Sequence, residues 1–253
     1  MAFSNILKST SRWLTKSIKP QIDPNKKPAN VKKAFERQVR FMLRAFGESE
    51  VEVNAQVNIE NMNVSSLGEK EVKLDLLVTS PPYVTSYEYA DLHQLSTLWL
   101  GYTDDYRSLR EGTIGSIHHH TVFEQVVKKL NKTADKVVFQ LYTKDKKRAK
   151  DAARYYLDMQ DITKSAYKKM NKGGHAFFVI GNTSYKDIHI NNAQHLMESM
   201  YDASFRYLKV HKRKISNKIL TPYRDKNGRF TKSSSGKKVY SEEFIVIGKK
   251  MRT

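Results

Sequence analysis

Five consecutive residues, Thr79-Ser80-Pro81-Pro82-Tyr83, combine side chains suited to gripping a flat ring that bears an amino group. Two successive prolines lock φ and remove two backbone N–H donors, so the segment is stiff and presents carbonyl acceptors. An exocyclic amine is a donor whose lone pair is delocalised into its ring. Acceptors at Ser80 and Pro81 would hold both hydrogens and favour the pyramidal nitrogen that must form a new bond. Tyr83 adds a face on which a base can stack. A base inside a duplex cannot reach such a loop and has to flip out, and stacking offsets part of that cost. The plainer reading is a strand-to-turn connection that contains two prolines, and the flanking segments weigh against it.

Val72 to Val78 is an apolar run of the kind found in buried parallel strands. Thr85-Ser86-Tyr87-Glu88 has capping-box spacing and predicts a helix start directly after the loop. That helix is expected to turn Tyr89, Leu92, Leu95, Leu98 and Trp99 inward and to end at Gly101. Ligands of open α/β sheets bind beyond the carboxyl ends of the strands, which is where the loop falls.

Elsewhere, Val31–Phe46 carries a helical apolar stripe closed by Gly47. Val51–Met62 alternates loosely and predicts one or two short strands. Short helices are expected near 104–111 and 121–131, and a long one from Asp145 to Met170, ended by Gly173-Gly174. A strand over His175–Ile180, a helix near 189–201, a strand near 205–211 and a closing strand over Glu243–Ile247 complete the pattern. The fold class is therefore α/β, with a partly parallel sheet. Residues 1–48 read as a basic helical N-terminal region broken by the Pro- and Lys-rich stretch Lys19–Ala29, and residues 49–253 as the catalytic domain.

The 253 residues carry 45 Lys and Arg against 26 Asp and Glu, a net charge of +19, so the expected partner is a polyanion, with nucleic acid first. A membrane is not expected as a partner, because no apolar run approaches the roughly 18 residues needed to span one. There is no cysteine, which removes disulfides, thiolate metal sites and cysteine nucleophiles, and fits a reducing cytoplasm.

The order DLLVTSPPY, YEYADLHQLSTLWLGY, NKGGHAFFVIGN and EEFIVIGKK resembles the amino-methylating DNA methyltransferases that use S-adenosylmethionine. The resemblance covers about residues 70–250. It implies an incomplete Rossmann-like methyltransferase sheet with flanking helices, with Ser80, Pro81, Pro82 and Tyr83 carrying catalysis, and Thr79 and Ser80 touching the cofactor. Asp75 matches an acidic position in the preceding strand, and Gly173, Gly174 and Asn182 match the next strand and its exit. Ser in the first position of the motif is more usual among enzymes acting on N4 of cytosine, whereas Asp or Asn is more usual for N6 of adenine. The lack of cysteine closes the covalent route to C5 of cytosine. The alternatives are N6-adenine methylation, an RNA methyltransferase, and a non-enzymatic DNA-binding or specificity subunit.

One family element is missing. No Phe-x-Gly-x-Gly motif to cradle the methionine part of the cofactor is found, and the only adjacent glycines, Gly173-Gly174, precede a strand rather than follow one. The resulting expectation is a split enzyme, a heterodimer in which a second methyltransferase subunit supplies the cofactor-binding half.

Double-stranded DNA is the expected substrate. A loop over 211–240 is strongly basic, and Lys212, Arg213, Lys214, Lys218, Arg224, Lys226 and Arg229 are candidate phosphate contacts, with Arg110 in LREGTIGS a further one. The alternative for the basic loop is a solvated surface, and for LREGTIGS an ordinary turn. His118, His119 and His120 are adjacent, and three neighbours on one short loop rarely converge on an ion, so no metal is expected.

Overall fold

The computed structural model describes residues 1–14, 21–48, 55–84, 89–115, 122–215, 223–224, 230–231, 237–238 and 242–252. The chain forms two compact units, Met1–Asn61 with Tyr87–Glu111, and Met62–Ser86 with Gly112–Thr253.

In the first unit, α1 (Ala2–Ile6) precedes α2 (Val31–Gly47). Asn30 caps α2 by accepting from the Lys33 N–H, as its short polar side chain favours. The apolar stripe of α2 is only partly used: Ala34 is buried, while Phe35, Phe41 and Phe46 are exposed. Helix α3 (Tyr89–Trp99) lies within this unit. The capping-box residues 85–88 lie outside the described residues. The expected inward face of α3 is corrected: Ala90 and Gln94 are buried, and Tyr89, Leu98 and Trp99 are exposed. The main neighbour of this eleven-residue helix is the 3₁₀ turn Tyr106–Arg110.

The second unit holds the sheet. A 3₁₀ turn (Val64–Glu69) leads into β1 (Leu74–Thr79). Then come α4 (Phe123–Val127), α5 (Lys132–Lys144) and α6 (Lys146–Lys169), which feeds directly into β2 (Met170–Ile180). A hairpin of β3 (Thr183–Tyr185) and β4 (Ile188–Ile190) precedes α7 (Asn192–Asp202), followed by β5 (Arg206–Lys214). Short strands β6 (Tyr223–Arg224), β7 (Phe230–Thr231) and β8 (Lys237–Lys238) form a separate small sheet, and β9 (Glu242–Lys249) closes the main one. The strands predicted over 51–62 do not form within 55–62, whereas 51–54 lie outside the described residues.

The main sheet runs β1-β2-β9-β5, with β1 and β2 parallel and the other pairs antiparallel. A parallel pair needs a crossover, and α4, α5 and α6 supply it. The fold is thus α/β, a mixed Rossmann-like sheet with helices packed on one face. That face carries Ala176, Phe178, Ile180 and Val246, all buried with Leu141, Tyr156, Leu196 and Met200. Phe178 is fully buried, and truncating such a ring costs about 3–5 kcal/mol. Asp75 accepts from Asn171 at 2.9 Å, tying β1 to the start of β2.

Candidate active site at the strand tips

Because β1 and β2 are parallel, their carboxyl ends lie side by side. Thr79 pairs with Phe178, which brings Ser80-Pro81-Pro82-Tyr83 next to the exit of β2. Ser80 is exposed, and its hydroxyl donates to the Val179 carbonyl at 3.2 Å. Pro81 is buried, and Pro82 and Tyr83 are half-buried. The Tyr155 hydroxyl on α6 donates to the Pro82 carbonyl at 2.7 Å. The loop is therefore held by proline rings from within and by two hydrogen bonds from outside.

Tyr83 is placed by residues far away in sequence. Its hydroxyl donates to Glu243 Oε1 at 3.3 Å, and Glu243 also forms an ion pair with Arg213. Beneath the ring lies Gly181, where a Cβ would come within 2.8 Å of Tyr83 Cε2. Glycine is required here by close approach.

The exit of β2 is locked in turn. Asn182 Oδ1 accepts from the Ala193 N–H at 3.0 Å, its amide donates to Asn191 at 3.1 Å, and Asn192 donates to the Gly181 carbonyl at 2.8 Å. Asn192 is fully buried, as is Tyr156, whose hydroxyl donates to it at 3.4 Å. Burial pushes the Tyr156 hydroxyl up, so it stays protonated and can donate. The Tyr156 ring packs on the His195 ring at 4.3 Å, and burial draws His195 down to about 3.

The Gly112–Gly115 turn packs on α6 nearby. Both glycines have positive φ, and the Gly115 N–H donates to Asp158 at 2.9 Å. A Cβ at Gly115 would stand 3.0 Å from that of Tyr155, the residue that holds Pro82.

Strand β5 ends and β9 begins at the same end of the sheet, since Lys214 pairs with Glu242 and Ile180 with Phe244. The basic loop between them therefore leaves from the edge that carries Tyr83. Of the candidate phosphate contacts, Lys212 pairs with Glu242 at 2.8 Å, Arg213 with Glu243, and Arg110 with Asp91 in the other unit. Lys214 is exposed. Lys218, Lys226 and Arg229 lie outside the described residues, as does the Arg224 side chain. His118, His119 and His120 also lie outside them. Among the described residues no helix is long and apolar enough to cross a membrane.

Gly173 and Gly174 lie at the opposite end of β2 from the loop. Gly174 and Ile180 are six positions apart along β2, about 20 Å at the rise of a strand. The two glycines cannot approach a molecule seated beside Ser80. Gly173 and Gly174 therefore do not fit a cradle for S-adenosylmethionine at the strand tips.

A stiff acceptor loop closed by an aromatic ring thus stands at the carboxyl end of a parallel strand in a mixed sheet, and over part of its length the chain is similar to a DNA methyltransferase. That protein is the type II methyltransferase M.MvaI of Kocuria varians, 29% identical over 158 residues. The match takes in 59% of this chain and 35% of that protein, so the chain corresponds to about a third of its relative's length. No family model matches. Two crystal structures of TTHA0409 from Thermus thermophilus, assigned as a DNA modification methylase, align at 13% and 11% identity. They cover 45% and 75% of this chain and 41% and 52% of their own, with TM-scores of 0.28 and 0.32.

Sequence reasoning did not find Tyr155, Gly181, Asn192 or Glu243. Gly181 directly after an apolar strand and the Asn191-Asn192 pair before a helix were signals of close approach and capping. Tyr155 and Glu243 carry no local signal, because their partners lie 73 and 160 residues away.

Proposed function

We propose that this chain is the catalytic half of a DNA methyltransferase that modifies N4 of cytosine, with S-adenosylmethionine bound largely by a second polypeptide. The observation that carries the reading is the immobilised Ser80–Tyr83 loop, fixed through Tyr155, Val179, Gly181 and Glu243. Methyltransferases of this type use S-adenosylmethionine as methyl donor, and the misplaced glycines support its binding from another chain.

In this reading the carbonyls of Ser80 and Pro81 accept from the two amine hydrogens. Tyr155 already occupies the Pro82 carbonyl, so the next acceptor along is spoken for. Tyr83 stacks against the flipped base, its ring held edge-on by Glu243 and from below by Gly181. A preorganised acceptor loop needs no rearrangement as the nitrogen becomes pyramidal, and this is the source of its catalytic value. The basic loop between β5 and β9 holds the duplex by its phosphates on the same side. Ser80 in the first position supports cytosine over adenine, through the family resemblance.

The test is to incubate DNA and S-adenosylmethionine with this chain, alone and with the product of the neighbouring reading frame, and to analyse the nucleosides by mass spectrometry. N4-methylcytosine formed only with both chains is expected. N6-methyladenine would overturn the choice of base, and full turnover by this chain alone would overturn the two-chain reading.

A further inference from the structure

We infer that the corner where α5 meets α6, together with the β3–β4 hairpin, is a second DNA-backbone interface, with Lys146, Lys147 and Lys150 as its phosphate contacts. The inference rests on the reading of Ser80–Tyr83 as the place where a flipped base is held, and says where the duplex beside that base is gripped.

Residues 144–150 read KDKKRAK, five cations and one acid. The acid is committed locally. Asp145 caps α6 by accepting from the Arg148 N–H at 3.1 Å, accepts from the Tyr185 hydroxyl at 2.6 Å, and faces Lys186 at 3.7 Å. Arg148 has Asp151 at 3.8 Å. Lys146, Lys147 and Lys150 are exposed, and among the described residues no carboxylate forms an ion pair with them. Lys146 and Lys147 gain nothing from their own helix either. Its first turn holds no acid, and the amino end of a helix carries a partial positive charge that disfavours cations. A polyanion brought from outside relieves that repulsion, and phosphates at close spacing do so for several lysines at once.

Two of these lysines are also restrained. The rings of Phe123 and Tyr142 stack at 5.6 Å with their planes 10° apart. Lys146 Nζ lies 5.5 Å from the centre of the Tyr142 ring, and Lys150 Nζ 6.0 Å from that of Phe123, both within reach of a cation–π attraction. A lysine already resting on a ring loses less freedom when it meets a phosphate than one loose in solvent. The corner is also at the right end of the domain. Strand β3 follows the carboxyl end of β2 after only Gly181 and Asn182, and its Tyr185 reaches Asp145. Tyr155, on the same helix, holds the Pro82 carbonyl. Asp145 is ten positions further towards the helix start, about 15 Å at the rise of a helix. A duplex whose flipped base sits against Tyr83 crosses this end of the sheet, and its backbone runs past the lysines.

The fold supplies a matched control. Lys132 and Lys136 are the first and fifth residues of α5, as Lys146 and Lys150 are of α6, and all four are exposed. They stand at the far end, since the Asn131 N–H donates to Gln160, fifteen positions along α6 from Asp145 and so about 22 Å away. The test compares Lys146→Gln with Lys150→Gln in one protein, and Lys132→Gln with Lys136→Gln in another, on labelled duplex DNA by fluorescence anisotropy. Both lose the same charge from the same helix positions, so general attraction to DNA changes alike. The first is expected to bind about tenfold more weakly, with the slope of log affinity against log salt reduced by about 1.8, or about 0.9 for each phosphate. The second should stay within about twofold of the unmodified chain, and Lys146→Arg with Lys150→Arg should keep its affinity. Equal losses in the two glutamine proteins, or a loss in neither, overturn the inference. If the difference holds and no modified nucleoside forms, the methyltransferase reading fails and the interface stands. If DNA is methylated while both proteins bind alike, the interface fails and that reading stands.

Discussion

Gly181 lies directly under the ring of Tyr83, so close that a methyl group on Gly181 would come within 2.8 Å of Cε2. The backbone of Gly181 is not in the left-handed region, so alanine is tolerated there conformationally and the ring has to move instead. Gly181→Ala should therefore act as a displacement of Tyr83. A shift of about 1 Å in a positioned group can cost about a hundredfold in rate. The expected outcome is a drop in turnover of at least tenfold to roughly that size, with duplex affinity within about twofold. Single-turnover kinetics and fluorescence anisotropy measure the two. Unchanged turnover would mean that Tyr83 does not take part in holding the base.

Two substitutions at Tyr83 separate its ring from its hydroxyl. Tyr83→Phe removes the hydrogen bond to Glu243 but keeps the stacking face. That bond is half-buried, and its loss should cost about 1 kcal/mol of stability or less. Tyr83→Ala removes the platform, worth about 1–3 kcal/mol per stacked base. Turnover should fall little in the first variant and by about tenfold to a hundredfold in the second. Equal losses would place the function in the hydroxyl, and hence in the Glu243–Arg213 pair.

What the sequence revealed follows from the range of the forces involved. The strands that became β2 and β9 were legible because a strand buried on a sheet needs an apolar run; β1 was legible by the same kind of run, although its Leu76 and Val78 are exposed rather than buried as that run predicts. The long helix α6 was legible for the same reason, its alanines recurring at helical spacing and all fully buried. The hairpin of β3 and β4 was not, since three-residue strands have no period, and its turn uses Lys186 and Asp187 at positive φ rather than asparagine and glycine. Helix α5 was also missed, although Asn131 caps it and Val137, Val138 and Leu141 share a buried face. At the site, the proline-stiffened loop announced itself, but the groups that hold it did not. Tyr155, Glu243 and Asn192 look like ordinary polar residues until the sheet brings them to the strand tips.

The basic residues between β5 and β9 should divide into two sets. Lys212 is already held by Glu242 at 2.8 Å and Arg213 by Glu243. Such pairs release few counterions on binding DNA. Lys226 and Arg229 lie in a stretch where Asp225 is the only acid. Replacing both with alanine should reduce the slope of log affinity against log salt by about 0.9 for each phosphate no longer neutralised, whereas Lys212→Ala should leave it nearly unchanged. A salt series with a labelled duplex decides this. The reverse ranking would move the DNA interface from the loop to the strand.

Under the strand tips, His195 makes folding depend on pH. It is buried against Tyr156 and drawn down to about 3, so the folded chain keeps it neutral while an unfolded chain protonates it near the ordinary value of about 6.5. A depressed pKa contributes stability that is complete above the unfolded value and is lost as pH falls towards the folded one. The window is therefore from about 6.5 down to about 3, with a loss of about 1.4 kcal/mol per pH unit within it. Between pH 7 and pH 5 this group alone removes about 2 kcal/mol. In His195→Gln that contribution is gone, so the difference in urea-unfolding free energy between the two pH values should shrink by about that amount. Glu198 is drawn down despite the opposing effect of its burial, because both the Thr133 hydroxyl and backbone N–H donate to it. Its own acid sensitivity remains in the variant, so the comparison isolates the histidine. Parallel pH profiles for the two proteins would show that His195 accepts a proton in place, and that its contact with Tyr156 tolerates the charge.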